Sequence, residues 1–108
     1  MNRTNSVTFT KKDVTQLVAE NLKKPVSQMK APVDAVFVAL REIMSRDHHS
    51  LRIEIRNFGV FEVKPTKAKP RARNPRTNEE VYVPPRRKSH FKPGRMLKQV
   101  LRVPLEKI

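Results

Sequence analysis

Three segments follow one another in the second half of the chain, and their order decides the fold. They are Asn57-Phe58-Gly59-Val60-Phe61-Glu62-Val63, a long basic stretch carrying Arg73-Asn74-Pro75, and Phe91-Lys92-Pro93-Gly94-Arg95. Just before the first, Leu51, Ile53 and Ile55 alternate with Arg52, Glu54 and Arg56, the period of a strand with one buried face. Asn57 and Gly59 both tolerate positive φ and bracket Phe58, which predicts a tight turn. Phe61 and Val63 then alternate with Glu62 and Lys64, so the segment reads as a hairpin.

Beyond the hairpin, residues 64–90 hold five prolines, at 65, 70, 75, 84 and 85, and little apolar alternation besides Val81 and Val83. Such a segment cannot build a core. It can form an exposed two-stranded arm that turns near Asn74-Pro75, since proline removes ladder donors and is tolerated at edges. Disorder is the other reading of the same composition.

Upstream the period is helical. Thr10 and Asp13 have the spacing of a capping box, and Val14, Leu17, Val18 and Leu22 predict a helix over about 11–23, with Pro25 ending it. Val33, Val36, Phe37, Leu40, Ile43 and Met44 form one apolar stripe of a second helix, widened by Ala35, Val38 and Ala39. Ser27 is a candidate N-cap, and Pro32 predicts either a start near Ala31 or a distorted first turn. After Pro93-Gly94, Met96, Leu97, Val100 and Leu101 predict a last short helix, ended by Pro104.

Charge points to the partner. The 108 residues carry a net +14 and make one small domain. Residues 64–95 hold eleven Lys and Arg against two Glu, so most of the excess lies on less than a third of the chain. Clustering of this kind is a footprint for a polyanion, and self-repulsion along the run is relieved by one. Proline flanked by arginines suits nucleic acid: the ring can wedge between bases while guanidiniums hold phosphates and groove edges.

Other classes are disfavoured. There is no cysteine, so disulfides and thiolate metal sites are excluded. No apolar run approaches the roughly 18 residues of a membrane span, and Met1 to Ser6 lack a signal peptide's apolar core, which predicts a cytosolic protein. Asp47-His48-His49 reads as a polar helix C-terminus, because adjacent histidines rarely converge on one metal. No catalytic triad order, phosphate-cradling glycine loop or paired carboxylate motif is present, so neither enzyme, metal, cofactor nor small-molecule substrate is expected.

The order helix, helix, hairpin, basic arm with Arg-Asn-Pro, then Phe-Lys-Pro-Gly-Arg and a short helix resembles the bacterial histone-like HU/IHF family over about residues 10–102. The resemblance implies an α+β fold. Two N-terminal helices would precede an antiparallel β-sheet saddle with an extended β-ribbon arm at about 64–90 and a short C-terminal helix, in an intertwined dimer. Residues 1–9 would be a flexible lead-in and 103–108 a C-terminal tail. It further implies a nucleoid-associated protein of the bacterial cytoplasm that bends and condenses double-stranded DNA with low sequence specificity, preferring bent, nicked or flexible duplexes.

By the same resemblance Pro75 intercalates, and Arg73, Asn74, Arg76 and Thr77 line the minor groove. Lys92 and Arg95 meet phosphates, and Phe58, Phe61 and Phe91 pack the dimer core, which would also take Val36, Phe37 and Leu40. Lys64, Lys67, Lys69, Arg71, Arg86, Arg87 and Lys88 are expected at phosphates by their charge. The chain departs from the family at Asn57, Ala72 and Asn78, each in place of a glycine, at Pro84-Pro85, and in an arm one residue longer between Phe61 and Arg73.

Two other readings share this chemistry. One is an RNA-binding or ribosomal-type basic protein, which would more typically show aromatic stacking residues on its strands; Tyr82 is the single tyrosine and there is no tryptophan. The other is a sequence-specific, IHF-like subunit of a heterodimer rather than a homodimer.

Overall fold

The computed structural model describes residues 6–108 and divides them into a helical unit, up to Ser45, and a sheet unit from Arg46 onward. The first part of the expected lead-in lies outside the described residues; residues 6–10 are exposed and without regular structure.

In the helical unit, α1 (Lys11–Leu22) and α2 (Val26–Met44) pack on each other. The Thr10–Asp13 pairing is present: the Asp13 carboxylate accepts from the Thr10 amide at 2.7 Å and the Thr10 hydroxyl at 3.0 Å. Those two bonds, the backbone one first, hold the Asp13 carboxyl below its ordinary pKa. What stops α1 is Lys23, not Pro25. Lys23 adopts the left-handed conformation at φ 54°, and the amides of Lys23 and Lys24 fold back to the carbonyls of Glu20 and Ala19. Pro25 instead caps the start of α2, in place of the expected Ser27, and Pro32 lies inside a continuous helix. The Lys11 ammonium reaches Asp34 across the helix pair at 2.8 Å.

In the sheet unit, β1 (Leu51–Ile55) and β2 (Gly59–Pro65) form the expected hairpin, with Leu51 opposite Val63 and Ile55 opposite Gly59. Asn57 takes the turn's left-handed position at φ 64°, and the Phe58 amide donates to Ile55 O at 3.1 Å. Gly59 has a different role from the one its turn position implies. Its φ is not positive; a Cβ there would strike the Lys92 carbonyl and come within 2.8 Å of the Phe91 ring. Gly59 is small because β5 (Arg87–Pro93) crosses at that point.

The sheet order is β1-β2-β5, antiparallel throughout. A second, separate ribbon pairs β3 (Lys69–Arg73) with β4 (Glu80–Val83), so the arm is an ordered β-ribbon. α3 (Arg95–Leu101) follows β5 with Gly94 as its N-cap, and a single 3-10 turn, Leu105–Lys107, follows Pro104.

The apolar core within one chain is thin. Among the described residues only Ala19, Val33 and Val63 are buried apolar side chains. Phe58, Phe61 and Phe91 form one cluster, with ring centroids 4.9 to 6.2 Å apart, yet Phe58 remains 44% exposed. Val36 and Phe37 of α2 are exposed as well, and Leu40 is half-buried.

Candidate nucleic-acid interface

The β-period sorts the sheet into two faces. Leu51, Ile53, Ile55, Phe61, Val63 and Phe91 share one. Arg52, Glu54, Glu62, Lys64, Lys88, His90 and Lys92 share the other, with Glu62 directly opposite His90 and Lys64 opposite Lys88. This second face is cationic, but its centre is an acid. The Glu62 side chain is only 9% exposed and takes Lys92 at 3.1 Å on one oxygen and Lys64 at 3.5 Å on the other. Its Oε1 is buried with no partner other than that Lys92 ion pair. The Lys92 pairing, ahead of Lys64, lowers the Glu62 pKa against the opposing effect of burial. Two expected phosphate contacts, Lys64 and Lys92, are thereby held side by side by a residue that sequence reading left unassigned. Only the Lys64 half of this pairing had a signal in the sequence, two residues further along the same strand face; Lys92 comes there through β5.

The arm continues the β2–β5 register. Thr66 and Arg86 bond through the Thr66 amide to Arg86 O at 2.7 Å and the Arg86 amide to Thr66 Oγ1 at 2.9 Å. The ladder resumes with Lys69 opposite Val83, and a one-residue shift, on the β3 side, precedes Ala72 opposite Val81. This bulge spans Pro70 and Arg71, where proline's missing donor costs nothing.

At the tip the loop closes on itself. The Asn74 amide donates to Glu79 O at 2.9 Å, the Asn78 amide to Asn74 O at 2.7 Å, and the Arg76 amide to Asn74 Oδ1 at 2.9 Å. Asn78 sits at φ 58°, which explains asparagine at that position. Pro75 is exposed at the end of this closed loop, with Arg76 and Thr77 beside it. Arg73 is tied inward: its guanidinium donates to Asn78 O at 2.9 Å and lies 3.6 Å from the Glu80 carboxylate. Glu80 was not anticipated, because only the ribbon's register sets it opposite Arg73.

Lys69 and Arg71 are exposed on β3, Lys67 and Arg86 between the sheet and the ribbon, Lys88 on β5, and Arg95 at the start of α3. Arg87 departs from that pattern, donating to the backbone carbonyls of Arg46 and His48 at 2.5 and 3.2 Å. His48 and His49 lie beyond the end of α2, in the connection to β1, rather than on the helix C-terminus expected for them. Among the described residues no group of three or more His, Asp or Glu side chains is placed to hold a metal, and no helix is long and apolar enough to cross a membrane.

The model of the family described as bacterial DNA-binding protein matches residues 9–102. The integration host factor subunit alpha of Marinobacter nauticus is 34% identical over 91 residues, covering 84% of this chain and 87% of its own. The DNA-binding protein HU-1 of Halalkalibacterium halodurans is 32% identical over 91 residues, covering 84% and 97%. Among solved structures, an Anabaena HU–DNA cocrystal structure superposes with a TM-score of 0.76 at 27% identity, covering 89% of this chain and all of that one. With its two helices, three-stranded sheet, Arg-Asn-Pro ribbon and closing helix, the chain belongs to the bacterial DNA-binding protein family that includes HU and integration host factor.

Proposed function

We propose that the protein is a non-enzymatic architectural DNA-binding protein of the bacterial nucleoid, which bends duplex DNA as a dimer. The observation that carries this is the arm tip: a hydrogen-bonded loop that presents an exposed Pro75 beyond the cationic strand β3, with Arg76 beside it. A rigid apolar ring held this way can enter a base step from the minor groove, with Arg76, Thr77 and Asn74 against the groove walls. Arg73 joins them by exchanging Glu80 for the groove. Lys64, Lys67, Lys69, Arg71, Arg86, Lys88, Lys92 and Arg95 supply phosphate contacts, and counterion release drives their binding.

Smoothly bending a 20–30 base-pair site by 40–90° costs about 1–6 kcal/mol. Partial unstacking at two Pro75 wedges concentrates the bend, and the flanking cations offset the cost. Nicked, gapped or already bent duplexes lower that cost and should bind more tightly.

The dimer is supported by the thin core. Among the described residues eighteen large apolar side chains stand exposed, including Val36 at 58%, Phe37 at 42% and Phe58 at 44%. That much apolar surface on a chain this small calls for burial against a partner, and a second copy supplies the same faces.

Competition binding tests the reading. A labelled nicked duplex should be displaced best by nicked DNA, less well by intact duplex and least by structured RNA. Preference for the RNA would replace this reading with an RNA-binding one. A fixed preference among intact duplexes of different sequence would instead favour the sequence-specific, heterodimeric form.

A further inference from the structure

Arg87 opens β5 opposite Pro65, the last residue of β2, at the root of the arm. Its Nη1 donates to carbonyls 41 and 39 residues away in sequence, those of Arg46 and His48 in the connection between α2 and β1. One pair further out, the Thr66–Arg86 staple closes the ladder, with the Thr66 hydroxyl also 3.3 Å from Arg86 O. Then pairing stops. No ladder pair joins Lys67 and Ala68 to Pro84 and Pro85, and the ribbon resumes only at Lys69 and Val83 as a separate sheet. Pro84 and Pro85 have no N–H with which to bridge the gap.

We infer that Arg87 is a positioning residue, pinning the root of the arm to the α2–β1 connection so that the arm swings only beyond Thr66–Arg86, at the break opposite Pro84-Pro85. The role differs from that of its neighbours in kind. A phosphate contact needs only a free charge, whereas two carbonyl acceptors on a connecting segment use the directional donors of a guanidinium. The pin also gives the double proline a purpose: it interrupts the ladder just outside the anchored pair, so root and outer ribbon are separate units. The consequence for binding rests on the DNA-bending reading above; the pin itself does not.

The experiment compares wild type, Arg87→Ala and Arg86→Ala. Arg86 is adjacent and contributes only backbone groups to the staple, which alanine retains. In free protein, hydrogen exchange at the Thr66 amide should quicken about tenfold in Arg87→Ala and stay near wild type in Arg86→Ala. In salt titrations on one duplex, Arg86→Ala should lower the slope of log K against log salt by about 0.9, as loss of one phosphate contact does. Arg87→Ala should keep the wild-type slope while its bent complex becomes broader in end-to-end distance. Unchanged Thr66 exchange together with a slope lowered by about 0.9 in Arg87→Ala would overturn the inference and return Arg87 to the phosphate contacts. If wild type fails to bind or bend DNA, the functional reading falls, while the exchange measurement still decides the pin.

Discussion

Glu62 sits among the cations of the sheet's charged face, and its ionisation decides how they are held. Because its folded pKa is lowered, the stability it contributes is present above the ordinary carboxylate range and lost as pH falls through the folded value. Asp13 acts with the same sign at the start of α1. Urea unfolding from pH 7 into the acid range should therefore show declining stability, and Glu62→Gln should flatten part of that decline. An equally steep fall in the variant would show that other groups titrate. Gly59 makes a second point at this level. Gly59→Ala should cost about 1–3 kcal/mol through overpacking against β5, read as a lower unfolding midpoint with unchanged m. The residue type was legible in the sequence and its reason was not. Asn57 takes positive φ, as its chemistry implies, but the crowding at Gly59 comes from Phe91 and Lys92, which only strand pairing brings there.

Among the helices, strands and arm, legibility follows the range of the interactions. Both long helices and the hairpin are set by local periodicity, and they appear within a few residues of the positions that periodicity implies. The ends were read less well, since Lys23 in a left-handed conformation has no sequence signature, and Pro25 serves the next helix rather than the last one. Pro32 was expected to delay or distort α2, yet the helix runs through it and leaves the Gln28 carbonyl without its usual donor. Pro32→Ala should restore that bond and stabilise the protein by about 1–3 kcal/mol, partly offset by greater freedom of the unfolded chain. A lower thermal midpoint in that variant would mean that the ring itself is needed for packing. In the arm, composition left ribbon and disorder open. The deciding contacts, Thr66 with Arg86 and Arg73 with Asn78, join residues that neither period nor propensity connects. The bulge at Pro70-Arg71 puts one additional residue on the β3 side alone.

For the chain as a whole, the exposed apolar surface and the clustered charge make separate demands, one for further burial and one for a polyanion. Sedimentation without DNA should give a dimer at micromolar concentration; a folded monomer there would remove the basis for two coordinated arms. Leu105 and Ile108, 86% and 90% exposed, lie past the end of the family match, where the Ile108 amide donates to Leu105 O at 3.1 Å.

The sharpest test is an end-labelled FRET bending assay on a duplex of about 35 base pairs, intact and nicked, with wild type and Pro75→Ala. Wild type should bring the ends together, more readily on nicked DNA, while Pro75→Ala binds with little bending. Equal binding of both duplexes by wild type with the ends left apart would contradict the wedge and make the arm an electrostatic clamp.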